Sequence, residues 1–275
     1  MNATLEKTFE LFARSISLSQ HQLDVALERA KEICQFLSQD TAVQECKITG
    51  SMARSTAIQK YSDVDIVATL NKPSPTTITP ESLTSSLLNI LKPTYQEAGI
   101  SENTVRISFN RGPEVDVIPA IPDATNPTGG PTYKIPSADR TEWNTYAPEE
   151  RNQKINRKGE LLGDNFTQLI KIVKWWSKEH GQPIASYEIE NIASSTFPCQ
   201  IPSITRAIVE FFENAESSST KRQSSHSALI SKARIIANRA LQCEQQGDTR
   251  GALNHWGILL GDQFAGVVSR NHRTG

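Results

Sequence analysis

The feature that most constrains this chain is the stretch from Gly50 to Val67, which reads GSMARSTAIQKYSDVDIV. It ends in two aspartates, Asp63 and Asp65, one residue apart within an apolar run. Side chains of a β-strand alternate between its two faces, so a strand here would place both carboxylates on one face, with Cα atoms about 6.6 Å apart. Carboxylates at that spacing can converge on two metal ions about 3.5–4 Å apart, the arrangement used for in-line phosphoryl transfer.

Two small residues, Gly50 and Ser51, open this stretch about a dozen positions before the aspartates. Glycine permits a tight backbone, and free N–H groups at the start of a short helix attract phosphate. Ser51 can add a hydroxyl donor. A Gly-Ser pair alone is more often an ordinary turn, and a lone Asp-x-Asp is common by chance. The combination becomes more specific only with a further acid.

That further acid is Asp116, which lies in the apolar segment EVDVIPAI with a valine on each side. This pattern predicts a buried or cleft-facing carboxylate, which is costly unless a cation repays its desolvation. We therefore expect Asp63, Asp65 and Asp116 to lie on neighbouring strands around two Mg²⁺ ions, which proteins hold with a few carboxylates. The alternative is that Asp116 faces solvent on an edge strand.

Hydrophobic periodicity predicts an α+β fold, with a small mixed sheet followed by a helical lobe. The predicted strands cover residues 43–48, 63–70, 104–110 and 114–121, the last two forming an antiparallel hairpin. A short helix or turn is predicted at 53–60, and irregular segments at 71–80, 122–147 and 216–225. Helices are predicted at residues 3–15, from about Ser19 with Gln22 completing a weak capping box, and at 81–91, 148–159, 164–180, 186–197, 202–214, 226–246 and 248–260. We expect two domains, an N-terminal helix with the acid-bearing core over residues 1–145 and a helical lobe over 146–275, with the active site in the cleft between them.

The composition argues against a protein that clamps duplex nucleic acid, because the formal net charge is −1. Its four cysteines show no spacing typical of zinc and are interpreted as buried or neutral thiols in a reducing compartment: Cys34, Cys46, Cys199 and Cys243. No signal peptide is recognised, and no apolar run is long enough to span a bilayer. We therefore expect a cytoplasmic protein.

The predicted helical lobe offers three candidate nucleotide contacts. Lys174 follows Lys171 on one helix, and Ser186 and Tyr187 stand at the start of the next. In the simpler interpretation, the lysines form a solvated face, Ser186 is an N-cap and Tyr187 is a packed aromatic residue. In the functional interpretation, Lys174 and Ser186 hold a triphosphate while Tyr187 stacks on a base.

Several of these segments resemble one family. GSMARSTAIQKYSDVDIV resembles the signature of polymerase-β-like nucleotidyltransferases, and EVDVIPAI resembles the third-acid strand of the oligoadenylate synthase and cyclic GMP-AMP synthase branch. LIKIVKWW, IASYEIENI, WNTYAPE and the region ALQCEQQGDTRGALNHWGILLGDQF resemble the bacterial CD-NTases, or SMODS-type nucleotidyltransferases. The resemblance covers about residues 40–264.

The resemblance implies a metal-dependent enzyme that condenses nucleoside triphosphates, ATP among them, into a cyclic di- or trinucleotide second messenger and releases pyrophosphate. It implies anti-phage (CBASS) signalling, with a regulatory protein and a downstream effector as partners. Two Mg²⁺ or Mn²⁺ ions would be the cofactors. The implied roles are metal binding and catalysis for Asp63, Asp65 and Asp116, with Asp116 as general base or orienter, donor-phosphate contact for Gly50 and Ser51, triphosphate contact for Lys174 and Ser186, and base contact for Tyr187.

The sequence departs from the animal branch of this resemblance in lacking a Cys/His zinc-ribbon cluster. With the near-neutral charge, this indicates that no duplex nucleic acid is required, and no membrane partner is expected. Two alternatives remain open: template-independent nucleotide addition to an RNA 3′ end, as in tRNA CCA-adding enzymes, and an inactive nucleotidyltransferase fold that serves as a binding partner.

Overall fold

The computed structural model describes residues 3–71, 77–123, 130–218 and 223–271. The predicted irregular segments fall partly on residues 72–76, 124–129 and 219–222, which lie outside the described residues. The chain divides into two compact units. The sheet unit comprises Leu18–Ala57 and Ser62–Lys154, and the helical unit comprises Met1–Ser17, Ile58–Tyr61 and Ile155–Gly275.

All the described strands lie in the first part of the chain, among four helices, and the described elements from Pro148 onward are helices. The helices are α1 (Ala3–Ile16), α2 (Gln20–Leu37), α3 (Gly50–Ala53), α4 (Pro80–Leu91), α5 (Pro148–Leu162), α6 (Asp164–Glu179), α7 (Ser186–Thr196), α8 (Ile204–Ser217), α9 (Ser224–Gln245), α10 (Thr249–Leu260) and α11 (Asp262–Asn271). The strands are β1 (Val43–Thr49), β2 (Val64–Leu70), β3 (Ala98–Ser101), β4 (Thr104–Ile107), β5 (Val115–Pro122), β6 (Tyr133–Pro136) and β7 (Trp143–Tyr146). The predicted α+β class is confirmed.

The sheet is mixed, in the order β1-β2-β5-β4-β3, with β6 added to β5 and β7 added to β6. Strands β2 and β5 run parallel, while β1 pairs with β2 and β4 with β5 in antiparallel fashion. The predicted β4–β5 hairpin is therefore confirmed, although β4 ends at Ile107 rather than at residue 110. The acid-bearing strand β5 lies between β2 and β4, inside the sheet.

The two faces of the sheet differ because side chains alternate along each strand. One face carries Val64 and Ile66 of β2 with Val115 and Val117 of β5, which pack against the apolar faces of α2 and α4. The other face carries the aspartates and a smaller apolar cluster that β6 covers through Tyr133. The predicted start of α2 is also confirmed, since Ser19 and Gln22 form a reciprocal capping box.

Several elements differ from the sequence prediction. Residues 122–147 are not wholly irregular, because β6 and β7 form an antiparallel pair there. Residues 53–60 were predicted as a short helix or turn; the helix covers Gly50–Ala53, and turn residues follow at 54–55 and 59–61. Neither β3 nor α11 was predicted. The four-residue strands β3, β6 and β7 were missed because so few positions, with a glycine in β3 and a proline in β6, give no readable alternation.

The cysteine prediction is wrong for two of the four residues. Cys34 of α2 and Cys46 of β1 form a disulfide, with Cα atoms 5.3 Å apart. The cause is tertiary: α2 packs on the sheet, which brings the two positions within bridging distance. Cys199 and Cys243 are free, and Cys199 is exposed rather than buried.

The helical unit has an aromatic core to which α1 contributes. Phe9 contacts the rings of Trp256 and Phe264, each at a centroid distance of 5.2 Å. Phe12 contacts Phe264 and Trp175. The division by contacts therefore groups α1 with the C-terminal helices, whereas the sequence prediction places it with residues 1–145. No described helix is long and apolar enough to cross a membrane.

Candidate active site

Strand register gathers polar side chains into one row across the sheet, which we call the acid row. Thr49 lies opposite Asp65, Asp65 lies opposite Asp116, and Asp116 lies opposite Arg106. Side chains directly opposite each other on paired strands project to the same face. Asp63 immediately precedes β2 and is two residues from Asp65, so the row brings the three predicted acids to one region of the sheet unit.

The prediction that Asp116 is buried is confirmed, because the residue is 9% exposed and stands on an internal strand. The alternative of a solvent-facing edge position is therefore wrong. Burial of an ionised carboxylate requires compensating partners. Thr104 provides one, since its hydroxyl donates to Oδ1 of Asp116 over 3.4 Å.

Arg106 provides the main partner, and the sequence prediction missed it. Its Nε donates to Oδ1 of Asp116 at 2.8 Å and its Nη2 to Oδ2 at 2.7 Å, a bidentate contact. Nη2 also donates to Oδ2 of Asp63 at 3.2 Å, and Nη1 lies 3.0 Å from Oε2 of Glu114. The hydrogen bonds to Asp116 raise the pKa of Arg106 above its ordinary value, as do the charges of all three carboxylates. The guanidinium is therefore protonated throughout the pH range in which proteins are studied.

Gly50 lies against the carboxylate of Asp65. Its φ of +72° is in the left-handed region, and a β-carbon added there would overlap Oδ2 of Asp65. Only glycine satisfies both requirements without displacement. The structure thus brings the predicted phosphate contact next to a predicted acid. Ser51 follows in the four-residue helix α3, where its carbonyl accepts a hydrogen bond from the N–H of Thr56.

Tyr146, at the end of β7, is a second residue of this region that the sequence prediction missed. Its hydroxyl lies 3.4 Å from Oγ1 of Thr49, the residue opposite Asp65. Burial raises the pKa of Tyr146, and the negative charge of Asp65 raises it further. The phenol is therefore neutral and adds no charge to the acid row. Its position at the end of a four-residue strand left no alternation in the sequence to single it out.

The three candidates of the helical unit have different environments. Lys174 of α6 is 3% exposed, and its Nζ is 2.8 Å from Oε1 of Glu190, a fully buried residue of α7. This environment argues against the predicted phosphate contact of Lys174, because the ammonium group is enclosed with a carboxylate. Ser186 is the first residue of α7, whose N-cap is Ala185, so the simpler N-cap interpretation of Ser186 is wrong. Tyr187 is 54% exposed and is not packed in the core.

The carboxylates of the acid row are candidate ligands for divalent ions. Within the described ranges, no group of three or more His, Cys, Asp or Glu side chains is arranged to hold a metal ion. At the acid row, Arg106 contacts both oxygens of Asp116 and one of Asp63. The donor types nevertheless fit, because carboxylate oxygens are the ligands that Mg²⁺ takes from proteins, and Asp65 and Asp116 stand opposite each other.

A mixed sheet that presents paired acids beside a Gly-Ser turn, followed by a helical unit, defines the polymerase-β-like nucleotidyltransferase fold. Solved CD-NTase structures share it. CdnC of E. coli MS115-1 with ATP has a TM-score of 0.80 and 17% identity, covering 94% of this chain and 98% of that one. CdnG of Bradyrhizobium diazoefficiens with GTP has a TM-score of 0.73 and 13% identity, covering 97% of each chain. The predicted fold is confirmed.

The chain belongs to the Second Messenger Oligonucleotide or Dinucleotide Synthetase (SMODS) family, whose model matches residues 3–158, more than half of the chain. The family predicted from the sequence is thereby confirmed. A curated relative, a probable cyclic nucleotide synthase of Bacillus cereus (strain VD146), is 24% identical in an alignment of 169 residues that covers 54% of this chain and 51% of that protein. The chain thus matches about half the length of this curated relative.

Proposed function

We propose that the protein is a metal-dependent nucleotidyltransferase that joins nucleoside triphosphates into a cyclic di- or trinucleotide and releases pyrophosphate. The observation that carries the proposal is the register of β2 and β5, which sets Asp65 opposite Asp116 beside Gly50 in a member of the SMODS family. Two acids on one sheet face, next to the glycine that opens α3, suit phosphoryl transfer.

In the proposed reaction, a sugar hydroxyl of one nucleotide attacks the α-phosphorus of another, the P–O bond to pyrophosphate breaks, and the hydroxyl proton is lost. Asp116 orients the attacking hydroxyl and accepts its proton. Gly50 and Ser51 contact the donor phosphates. The divalent ions, Mg²⁺ or Mn²⁺, would be held by Asp63, Asp65 and Asp116 and would neutralise the charge of the phosphates.

We assign contact with the base of the nucleotide to Tyr187, whose exposed ring offers a face for stacking. Ser186, its neighbour at the start of α7, remains a proposed triphosphate contact. Lys174 is left out of this assignment because Glu190 pairs with its buried ammonium group. Because that pair is buried, we assign it the structural role of joining α6 to α7.

The proposed setting is bacterial anti-phage signalling in the cytoplasm. Solved CD-NTase structures were obtained with ATP, with GTP and, for CdnC of E. coli MS115-1, in a complex with HORMA. We extend from those proteins that this chain uses nucleoside triphosphates and has a regulatory protein partner, and that a separate effector responds to its product. In a reducing cytoplasm the Cys34–Cys46 bond would open to two thiols.

The test is product analysis. The purified chain is incubated with each α-labelled nucleoside triphosphate and with all pairs, in Mg²⁺ or Mn²⁺, and the products are treated with phosphatase and identified by mass spectrometry. A phosphatase-resistant cyclic oligonucleotide, absent with Asp65→Asn, is the expected result. Label that appears only on added tRNA would support RNA-end addition instead. Failure of every nucleotide, metal and added regulatory partner to give product would contradict the proposal.

A further inference from the structure

Arg106 stands at the centre of the acid row, where the proposed function requires divalent ions. Its guanidinium contacts three carboxylates, those of Asp116, Asp63 and Glu114, at nitrogen–oxygen distances of 2.7, 3.2 and 3.0 Å. We propose that Arg106 is a built-in cation that occupies the carboxylates of Asp63 and Asp116 and competes with the metal for them. The inference rests on the proposed metal dependence and concerns the control of that site.

Arg106 engages Asp116 with a geometry that a metal ion would disturb. The planar fork of Arg106 donates to both oxygens of this carboxylate, at 2.8 and 2.7 Å. A carboxylate oxygen keeps a second lone pair, so a metal ion could share it. Two cations would then face one carboxylate, and their repulsion weakens either the metal or the arginine contact. Occupation by metal therefore requires Arg106 to release part of its bidentate contact.

Arg106 also places a positive charge among several carboxylates. Asp63, Asp116 and Glu114 converge on a single guanidinium, and Asp65 lies opposite Asp116. A metal ion that enters the acid row therefore meets a positive charge already held among these carboxylates, and that charge repels it. Removal of the Arg106 charge should strengthen metal binding.

Glu114 gives Arg106 a partner to keep when the metal binds. Its Oε2 lies 3.0 Å from Nη1, the nitrogen of Arg106 that does not contact Asp116. The hydroxyl of Ser108 donates to the other oxygen of Glu114 at 3.0 Å and fixes that side chain. Arg106 and Glu114 are each more than one-third exposed, so a shift of the guanidinium toward Glu114 takes no charge out of water. The arginine can thus yield oxygens of Asp63 and Asp116 without losing its ionic partner.

The test measures the Mn²⁺ dissociation constant of the full, nucleotide-free chain by electron paramagnetic resonance. It compares wild type, R106Q and R106K. Binding that Asp65→Asn removes is assigned to the acid row. We expect R106Q to bind Mn²⁺ about tenfold more tightly, since one nearby positive charge is removed. R106K keeps the charge but not the planar fork, so its affinity should fall between the other two. The matched control is R140Q, because Arg140 is a partly exposed arginine of the same unit that donates to the carbonyl of Glu102, and it should bind Mn²⁺ as wild type does.

The competing explanation is that Arg106 only ties β4 to β5. In that case R106Q lowers the thermal unfolding temperature but leaves the Mn²⁺ dissociation constant unchanged, which would overturn the proposal. Weaker Mn²⁺ binding in R106Q, or undetectable binding in both proteins, would overturn it as well. Should R106Q not fold, wild-type affinity in R106K has the same meaning. The binding measurement needs no product, so tighter Mn²⁺ binding without catalysis in the wild type would refute the proposed function alone.

Discussion

Two ion pairs with nearly the same nitrogen–oxygen distance differ in how far their side chains are exposed to solvent. In the sheet unit, Arg106 and Asp116 are 2.7 Å apart, and their side chains are 35% and 13% exposed. In the helical unit, Lys174 and Glu190 are 2.8 Å apart, and their side chains are 4% and 0% exposed. The first pair can exchange partners with water, metal or substrate. The second is enclosed, so each charge depends on the other for its solvation.

A charged side chain near an apolar run therefore does not by itself indicate a nucleotide contact. Asp116 and Lys174 both follow hydrophobic residues in the sequence and both were predicted as site residues. The register of the sheet turns Asp116 toward other acids and an arginine. Helix packing turns Lys174 toward Glu190. Variants at each pair separate a functional from a structural charge.

The largest expected effect is on the sheet-unit side of the comparison. Asp65→Asn keeps the side-chain shape but removes the charge that the proposed metal site needs. We expect product formation to fall by about 10²–10³-fold or more, the range typical for loss of one transition-state stabiliser. Circular dichroism and thermal unfolding should stay close to wild type. Full activity of Asp65→Asn would contradict the two-metal assignment.

The next effect is on stability and belongs to the enclosed pair. Lys174→Met removes the cation partner of the fully buried Glu190. Breaking a buried ion pair from one side typically costs about 3–5 kcal/mol, because the remaining charge keeps its desolvation penalty. Urea unfolding would measure this loss of unfolding free energy.

The double variant Lys174→Met/Glu190→Leu provides the control, because it leaves neither charge buried. We expect it to recover most of the lost stability, as apolar replacements of buried ion pairs often do. R106Q at the partly exposed pair should cost much less than Lys174→Met. Equal losses at the two pairs would remove the distinction drawn between them.

A third variant tests how closely the acid row is packed. Gly50→Ala should reduce turnover by about 100-fold, since a displacement of about 1 Å in a catalytic group has effects of that size. Its backbone strain alone should cost about 1–2 kcal/mol of unfolding free energy. Gly247→Ala is the matched control, because Gly247 has a φ of +78° and no neighbour within 4 Å of an added β-carbon. It should lose similar stability and keep its activity; a similar loss of turnover in both would reduce the effect to general strain.

The smallest expected effect tests the remaining helical-unit candidate, on the same helix as Glu190. Tyr187→Ala should weaken nucleoside triphosphate binding by about 5–150-fold, equivalent to ~1–3 kcal/mol of base–aromatic stacking. Tyr187→Phe retains the ring and should bind as wild type does. Isothermal titration calorimetry with a non-hydrolysable analogue measures both. An unchanged affinity in Tyr187→Ala would remove this residue from the site.

The parts that the sequence predicted are those with a local pattern. Strand β2 follows from the alternation around Asp65, and α2 from its apolar periodicity and the cap at Ser19. The family resemblance followed from the same segments. Short strands such as β6 and β7 have no such pattern, because tertiary pairing rather than local propensity holds them.

The parts that the sequence missed depend on register and packing. Arg106 occupies a polar position in a strand of alternating polar and apolar residues, so the sequence alone gives no reason to single it out. Its contacts follow from its cross-strand position opposite Asp116. The Cys34–Cys46 bond joins a helix to a strand at a spacing that carries no signal. Sixteen residues separate Lys174 from Glu190, so their pairing appears only when α6 packs on α7.

The placement of α1 in the helical unit has a consequence for the time course of biosynthesis. The ring of Phe12 packs against Phe264, so α1 is synthesised about 250 residues before the helix that supplies this contact. At about 5–20 residues per second, that delay is roughly 13–50 s. Through that interval the apolar face of α1 lacks its contacts with α11 and is open to chaperones and to other chains. Slowing translation between α1 and α11 should therefore lengthen the interval and raise aggregation.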